Sequence, residues 1–132
     1  MSNTITRKPL ELDPYGKEPN EPGSKLDADK PLPALVLGDF ANALAAVTAV
    51  GTFGAQKYTR SGWLTVPDGR QRYDEARMRH WLLRFRGEEY DKDSGLLHAA
   101  HEAWNGLAVL ELLLREKTPT TRNRAMDAFN SQ

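Results

Sequence analysis

The stretch LLHAAHEAWNGLAVLELLLRE, Leu96 to Glu116, decides how the rest of the chain reads. Leu97, Ala100, Trp104, Leu107 and Leu114 recur at three-, four- and seven-residue steps, the period of a helix with one side turned to a core. Asp93 and Ser94 stand before it as candidate caps and Pro119 stops it, so a helix over Leu96–Glu116 is expected. His98, His101 and Asn105 follow at i, i+3 and i+7, which places all three on one stripe of that helix. A stripe of that kind can face a ligand.

Working outward, the segment before this helix is Gly87-Glu88-Glu89-Tyr90-Asp91-Lys92-Asp93-Ser94-Gly95, an acidic turn entered through a glycine of the C-cap type. Upstream of it a second helix is predicted from Arg72 to Arg86, with Met78, Leu82 and Phe85 on its apolar side and Tyr73, Arg77, His80 and Arg84 on a different stripe. A first helix is predicted from Leu35 to Phe53 by the recurrence of Leu37, Phe40, Ala41, Leu44, Val47 and Val50, with Gly51 and Gly54 loosening its end and Phe53–Tyr58 either continuing the helix or turning out of it. Between these two helices, Ser61-Gly62-Trp63 through Pro67-Asp68-Gly69 reads as a loop.

Residues 1–33 are rich in Pro, Gly and charge, and show neither helical nor alternating period. They are expected to form an extended or partly disordered arm, leaving residues 34–117 as a helical domain and residues 118–132 as a polar tail, either frayed or with a weak helix near Arg124–Phe129. No strand pattern competes. The expected fold is all-α, a small helical bundle of three to four core helices with an extended N-terminal arm.

At 132 residues the chain fits one small domain, short enough for association with a second subunit to help it, and a homo-oligomer is expected. Eighteen basic residues balance eighteen acidic ones, so no overall field draws the protein to a nucleic acid polymer or an anionic membrane. There is no cysteine, hence no disulfide and no thiolate metal site. The N-terminus lacks the apolar core of a signal peptide and no stretch approaches the roughly 18 apolar residues of a membrane span. A cytoplasmic location is the expectation.

The chemistry concentrates between His80 and His101, which holds all three histidines. Glu88 and Asp91 form an E-x-x-D pair able to converge on a hard cation such as Mg²⁺ or Mn²⁺. His98 and His101 enter from the next helix, and mixed imidazole and carboxylate ligation favours Mn²⁺, Fe²⁺, Co²⁺, Ni²⁺ or Zn²⁺. The competing reading is a solvated interhelical loop whose charges are buffered by the histidines. Lys57, Tyr58 and Trp63 put a cation beside aromatic rings, which suits a base that stacks while its phosphates meet the ammonium; Trp63 reads equally well as a plug over the core. Asn105 is a mediocre helix former, which points to a hydrogen-bonding role.

Taken in order, Lys25-Leu26-Asp27-Ala28-Asp29-Lys30-Pro31, Phe53 to Tyr58 (FGAQKY), Trp63, Arg72 to His80 (RYDEARMRH), Gly87 to Gly95 and His98 to Asn105 (HAAHEAWN) resemble the phage-encoded dATP/dGTP diphosphohydrolase N-terminal domain family. The matching positions are Asp27, Lys30, Gly54, Lys57, Tyr58, Trp63, Arg79, His80, Glu88, Asp91, Ser94, His98, His101 and Asn105. One departure is Ser61-Gly62 before Trp63, where the family tends to have an Asn directly preceding the Trp. All-α pyrophosphohydrolases of the MazG type carry E-x-x-E ahead of E-x-x-D; here Glu88 to Asp91 fits the second half and nothing on the second helix fits the first.

The resemblance implies metal-dependent hydrolysis of a deoxypurine triphosphate, dATP or dGTP, to the monophosphate and pyrophosphate in the cytoplasm of an infected host. Glu88, Asp91, His98 and His101 would hold a divalent metal, Mn²⁺ or Mg²⁺ first, and carry the catalysis. Lys30, Lys57, Tyr58, Trp63, Arg79, His80 and Asn105 would bind the nucleotide. The alternative is a protein that binds or sequesters a nucleotide without turning it over.

Overall fold

A computed structural model describes residues 10–117 and residue 129. They contain four α-helices, one 3-10 turn and no strand, so the chain is a small all-α protein. Two compact units separate at Pro31 and Leu32. The expected tail over 118–132 and its terminal helix lie, apart from Phe129, outside the described residues.

The first unit contains the arm. From residue 10 to 31 the arm, expected to be extended or partly disordered, has no helix or strand and consists of short turns joined by irregular chain. The Asp13 carboxylate organises one of them, accepting the N–H groups of Tyr15 at 2.9 Å and Lys17 at 2.7 Å, as an Asx turn does. The Lys17 N–H is the strongest cause holding the Asp13 carboxyl below the ordinary aspartate range. Lys30 is exposed, in a turn closed by its N–H on the Asp27 carbonyl at 3.2 Å.

The second unit holds α1 (Ala34–Leu37), α2 (Ala41–Lys57), a 3-10 turn (Gly62–Thr65), α3 (Gly69–Phe85) and α4 (His98–Glu116). The single first helix expected over Leu35–Phe53 is thus two. At Gly38 the hydrogen-bond register slips: the Asp39 N–H returns to Ala34 and the Ala41 N–H reaches only Gly38. Glycine pays most to be held helical, so the break falls there. In the other direction α2 runs through Gly51 and Gly54 to Lys57. Gly51 is a point of close approach, since a Cβ there would stand 3.3 Å from Nε1 of Trp104 on α4.

Helix α3 starts a turn before the expected Arg72. It lies antiparallel to α4, as its ion pairs show: Arg70 with Glu116 at one end, Arg84 with Glu102 at the other. The stripe turned to α4 is the one carrying Tyr73, His80 and Arg84. Met78, Leu82 and Phe85, expected in the core, are exposed, and so is Leu107 of α4. Amphipathic period shows that two faces differ; which of them the same chain covers depends on tertiary packing.

Among the described residues the buried large or aliphatic apolar ones are Val50, Ala100 and Ala108, and α4 also carries three buried polar ones, His98, His101 and Asn105. A small domain rarely spends so much of its interior on polar groups without using them. The N-cap of α4 is Leu97, with no side-chain cap. Asp93 and Ser94 do not fill that role: Asp93 pairs with Lys57, and the Ser94 hydroxyl turns to His101.

Candidate functional site

The segment between α3 and α4 is a tight antiparallel turn that presses its carboxylates against the start of α4. Gly87 leaves α3 at φ 97° and Gly95 closes the turn at φ 72°, a left-handed backbone that suits glycine. The Asp91 N–H donates to Leu96 at 2.7 Å and the His98 N–H donates to Glu89 at 3.0 Å. Inside the turn the Asp91 carboxylate accepts the Ser94 N–H at 2.8 Å. Glu88, Asp91 and Ser94 thereby come to face the histidines of α3 and α4.

His98 is fully buried, and both ring nitrogens are engaged. Nε2 lies 2.7 Å from Glu88 Oε2, and Nδ1 lies 2.8 Å from Nδ1 of His80. A carboxylate only accepts, so the proton of neutral His98 sits on Nε2 and its Nδ1 offers a lone pair; His80 then donates from Nδ1. The His98 bond is the leading cause holding the Glu88 carboxyl below its ordinary range.

His80 stacks on His101, ring centres 4.3 Å apart and planes 8° from parallel. Burial first, and then the neighbouring His101 ring, push the His80 pKa down to about 4. Burial likewise lowers that of His101, whose Nε2 is 2.7 Å from Ser94 Oγ and 3.7 Å from Asp91 Oδ2. Burial works against the charge of Asp91, yet the Ser94 N–H and the nearby imidazoles hold its pKa below the ordinary value. At neutral pH the cluster therefore joins neutral His80 and His101 to ionised Asp91 and Glu88, the protonation states that metal ligation requires.

One ligand atom each from His80, Asp91 and His98 lies within 4.8 Å of the others, a spacing that can hold a metal ion. Moving the His80 proton from Nδ1 to Nε2 turns the imidazole–imidazole hydrogen bond into two lone pairs beside a carboxylate. That donor set fits Mn²⁺, Fe²⁺, Co²⁺, Ni²⁺ or Zn²⁺ better than Mg²⁺. Glu88 occupies the opposite nitrogen of His98, where it fixes the tautomer and orientation of the ring. His101 holds Ser94 and stacks beneath His80. Glu88, Asp91, His98 and His101, singled out in the sequence, thus come together in one cluster; among the four, only Asp91 and His98 belong to the converging trio.

His80, Asp91 and His101 of the cluster line a cleft of about 620 Å³, while Glu88 and the fully buried His98 are not among its lining residues. Lys57, Tyr58, Trp63, Arg79, His80 and Asn105 all line it, together with Asp91 and His101. Lys30 belongs to the other unit. Lys57 sits at the end of α2, paired with Asp93 at 2.5 Å, and the Asp93 contact is the main cause raising its pKa. Its ammonium also lies 5.5 Å from the centre of the Tyr58 ring. Arg79 is exposed and forms no ion pair among the described residues. Asn105 donates from Nδ2 to the His101 carbonyl at 2.8 Å, the hydrogen bond its place in a helix suggests.

Trp63 is joined in the cleft by Tyr73 and Trp104, which the sequence reading did not single out for a site, in one aromatic wall. Trp63, Tyr73 and Trp104 meet edge to face with ring centres 5.6 to 6.1 Å apart, each such pair contributing about 0.5–1.5 kcal/mol beyond burial. The Tyr73 hydroxyl donates to the Trp63 carbonyl at 2.8 Å and pins the 3-10 turn to α3. Trp63 is both packing and lining, so its two readings merge. Arg72 also lines the cleft. The i, i+4, i+7 spacing of Arg72, Ala76 and Arg79 carried that signal, one stripe along from the residues counted as polar.

A sequence model of the family described as dATP/dGTP diphosphohydrolase, N-terminal, matches residues 20–122. A protein named dATP/dGTP diphosphohydrolase from Salmonella phage PMBT28 is 34% identical over 106 residues, which cover 80% of this chain and 34% of that protein. The chain thus spans about a third of that relative's length. No solved structure matches. The matched region contains the whole cleft and the whole histidine cluster, and the chain belongs to the dATP/dGTP diphosphohydrolase N-terminal family.

Proposed function

We propose that the helical unit binds a deoxypurine triphosphate, dATP or dGTP, in this cleft and hydrolyses it to the monophosphate and pyrophosphate with a divalent metal held by His80, Asp91 and His98. The observation that carries the reading is the convergence of two imidazoles and a carboxylate, of which His80 and Asp91 line a cleft that cations and aromatic rings also line. The name of the phage relative supplies the nucleotide class.

In this reading the purine lies against Trp63 and Trp104, with Tyr58 at the mouth, and Lys57, Arg72 and Arg79 offset triphosphate charge. A bound metal would lower the pKa of a coordinated water and offset charge on the phosphoryl oxygens. The water oxygen forms a bond to the α-phosphorus, the α–β bridging bond breaks, and its electron pair leaves with pyrophosphate. His101, held neutral by burial, stands beside the trio as the acceptor for the proton that the water gives up. Ser94 keeps His101 oriented. No described helix is long and apolar enough to cross a membrane, and the proposed setting is the cytoplasm of an infected host.

The test is incubation of the purified protein with dATP or dGTP and Mn²⁺, following pyrophosphate and monophosphate by chromatography. His80→Ala and Asp91→Asn are expected to abolish release, and a chelator to silence the wild type. A second reading rests on one observation: the His80–His98 hydrogen bond and the Glu88–His98 bond are complete without an ion. Tight nucleotide binding with no release of pyrophosphate or phosphate under any divalent metal would leave sequestration in place of hydrolysis.

A further inference from the structure

Helix α3 carries Met78, Trp81, Leu82 and Phe85 with 56%, 47%, 52% and 63% of their surfaces exposed, and α4 carries Leu107 and Leu110 at 49% and 51%. At 100° per residue the α3 group sits roughly 130° around its helix from Tyr73, His80 and Arg84, which face α4. Ala99, Ala103, Leu107 and Leu110 sit roughly the same angle, in the same residue sense, from the side of α4 that faces α3. In an antiparallel pair equal rotations of this kind swing both stripes to one side. Helix α2 packs on the other side, where Gly51 meets Trp104. The α3–α4 layer is therefore covered by α2 on one side, while an apolar stripe from each helix stands open on the other.

We propose that this open face of α3 and α4 is the contact between two copies of the chain, packed face to face about a two-fold axis. Three observations favour a second copy as the occupant. The six large side chains expose on the order of 100 Å² each, together approaching the roughly 800 Å² per partner of a standard stable interface. The interior of the chain includes only three buried apolar residues among those described, Val50, Ala100 and Ala108, so a lone subunit is poorly provided with core. Formal net charge is zero, so two copies meet without long-range repulsion. An isologous contact also needs a patch that complements itself, and a patch made of Leu, Met, Phe, Trp and Ala does so without pairing any charge.

The surface is separate from the cleft, so the inference stands or falls independently of the proposed hydrolysis. The first experiment is sedimentation velocity of the full chain over a range of micromolar concentrations. A species of twice the 14.8 kDa chain mass is expected. Leu82→Glu with Phe85→Glu should return it to the single-chain mass with helix content by circular dichroism unchanged, while Leu37→Glu on α1 should leave the dimer intact. A wild type of single-chain mass at every concentration overturns the proposal, as does a folded double variant that remains dimeric.

Because the chain has no cysteine, a thiol introduced as Trp81→Cys can couple only to another copy. A short bismaleimide is expected to link it into dimers, with Tyr58→Cys at the cleft mouth as the control. This keeps the question decidable if the glutamate variants fail to fold: equal cross-linking at the two positions overturns the proposed face.

Discussion

His98 has no exposed surface, and its two nitrogens divide the site into a ligand side and a supporting side. Glu88, on the supporting side, bonds to Nε2 while Nδ1 faces His80 and Asp91. Glu88→Gln preserves a hydrogen-bond acceptor and removes the charge that makes the imidazole a stronger donor to a metal. Mn²⁺ or Co²⁺ affinity by titration calorimetry is expected to fall about 10- to 100-fold with the fold retained; an unchanged affinity would put Glu88 outside the site's chemistry. His80 supplies a second prediction. Its pKa of about 4 lies below the ordinary histidine value, so between about 6.5 and 4 the unfolded chain takes up a proton that the folded chain refuses. Stability is thus fully present above that window and is lost as pH falls through it; the melting temperature in a chelator should drop from pH 7 to pH 4.5, and His80→Gln should flatten the slope. Glu88 and Asp91, whose pKa values are lowered, contribute their loss at still lower pH. These residues were legible as a cluster because imidazoles and carboxylates crowd one short region. Their division of labour was not, because the nitrogen each partner occupies depends on how the turn folds back.

Between residue and fold stands the turn from Gly87 to Leu97, which has no regular structure and yet sets the position of Glu88, Asp91 and Ser94. Its geometry rests on two backbone hydrogen bonds across its base and on left-handed glycines at both bends. A Cβ at Gly95 would meet no neighbour within 4 Å, so the cost of Gly95→Ala comes from the φ of 72° alone. A loss of about 1–2 kcal/mol by urea denaturation is expected, with a larger proportional loss of metal affinity as the turn shifts. Unchanged stability would show that the turn can be closed by another route. The helices on either side were visible in the sequence through their period, and their ends through Gly87 and Pro119. The break at Gly38 was not, and the extension of α2 through Gly51 and Gly54 was legible only as one of two readings. A glycine in a helical pattern reads the same whether it ends a helix or admits a neighbour, and only the place of Trp104 tells them apart.

At the scale of the molecule, the apolar period of α3 foretold a helix with two unlike faces and pointed the wrong one inward. The face turned to α4 carries the aromatic and titratable residues, so the subunit's interior and its cleft are built from the same side chains. Trp63 and Trp104 belong to both, whereas Trp81 stands exposed on the open side of α3. That separation makes intrinsic fluorescence a site-resolved probe of the proposed nucleotide. A purine stacked on the wall should quench Trp63 and Trp104 while leaving Trp81 unaffected, so Trp81→Phe should retain the quenching by dATP and Trp63→Phe should lose much of it. Lys57→Ala and Arg79→Ala should each weaken the same titration, more at low salt than at high, because partly exposed cations act on phosphate through a screened field. Removing the ammonium also frees Asp93 from its ion pair and leaves an anion at the cleft mouth, which adds repulsion to lost attraction. Lys57→Ala is therefore expected to cost more binding than Arg79→Ala, and Lys57→Ala with Asp93→Asn to recover part of the difference. Equal losses for the two single variants, with no recovery in the double, would mean that Lys57 and Asp93 do not share the rim with the triphosphate.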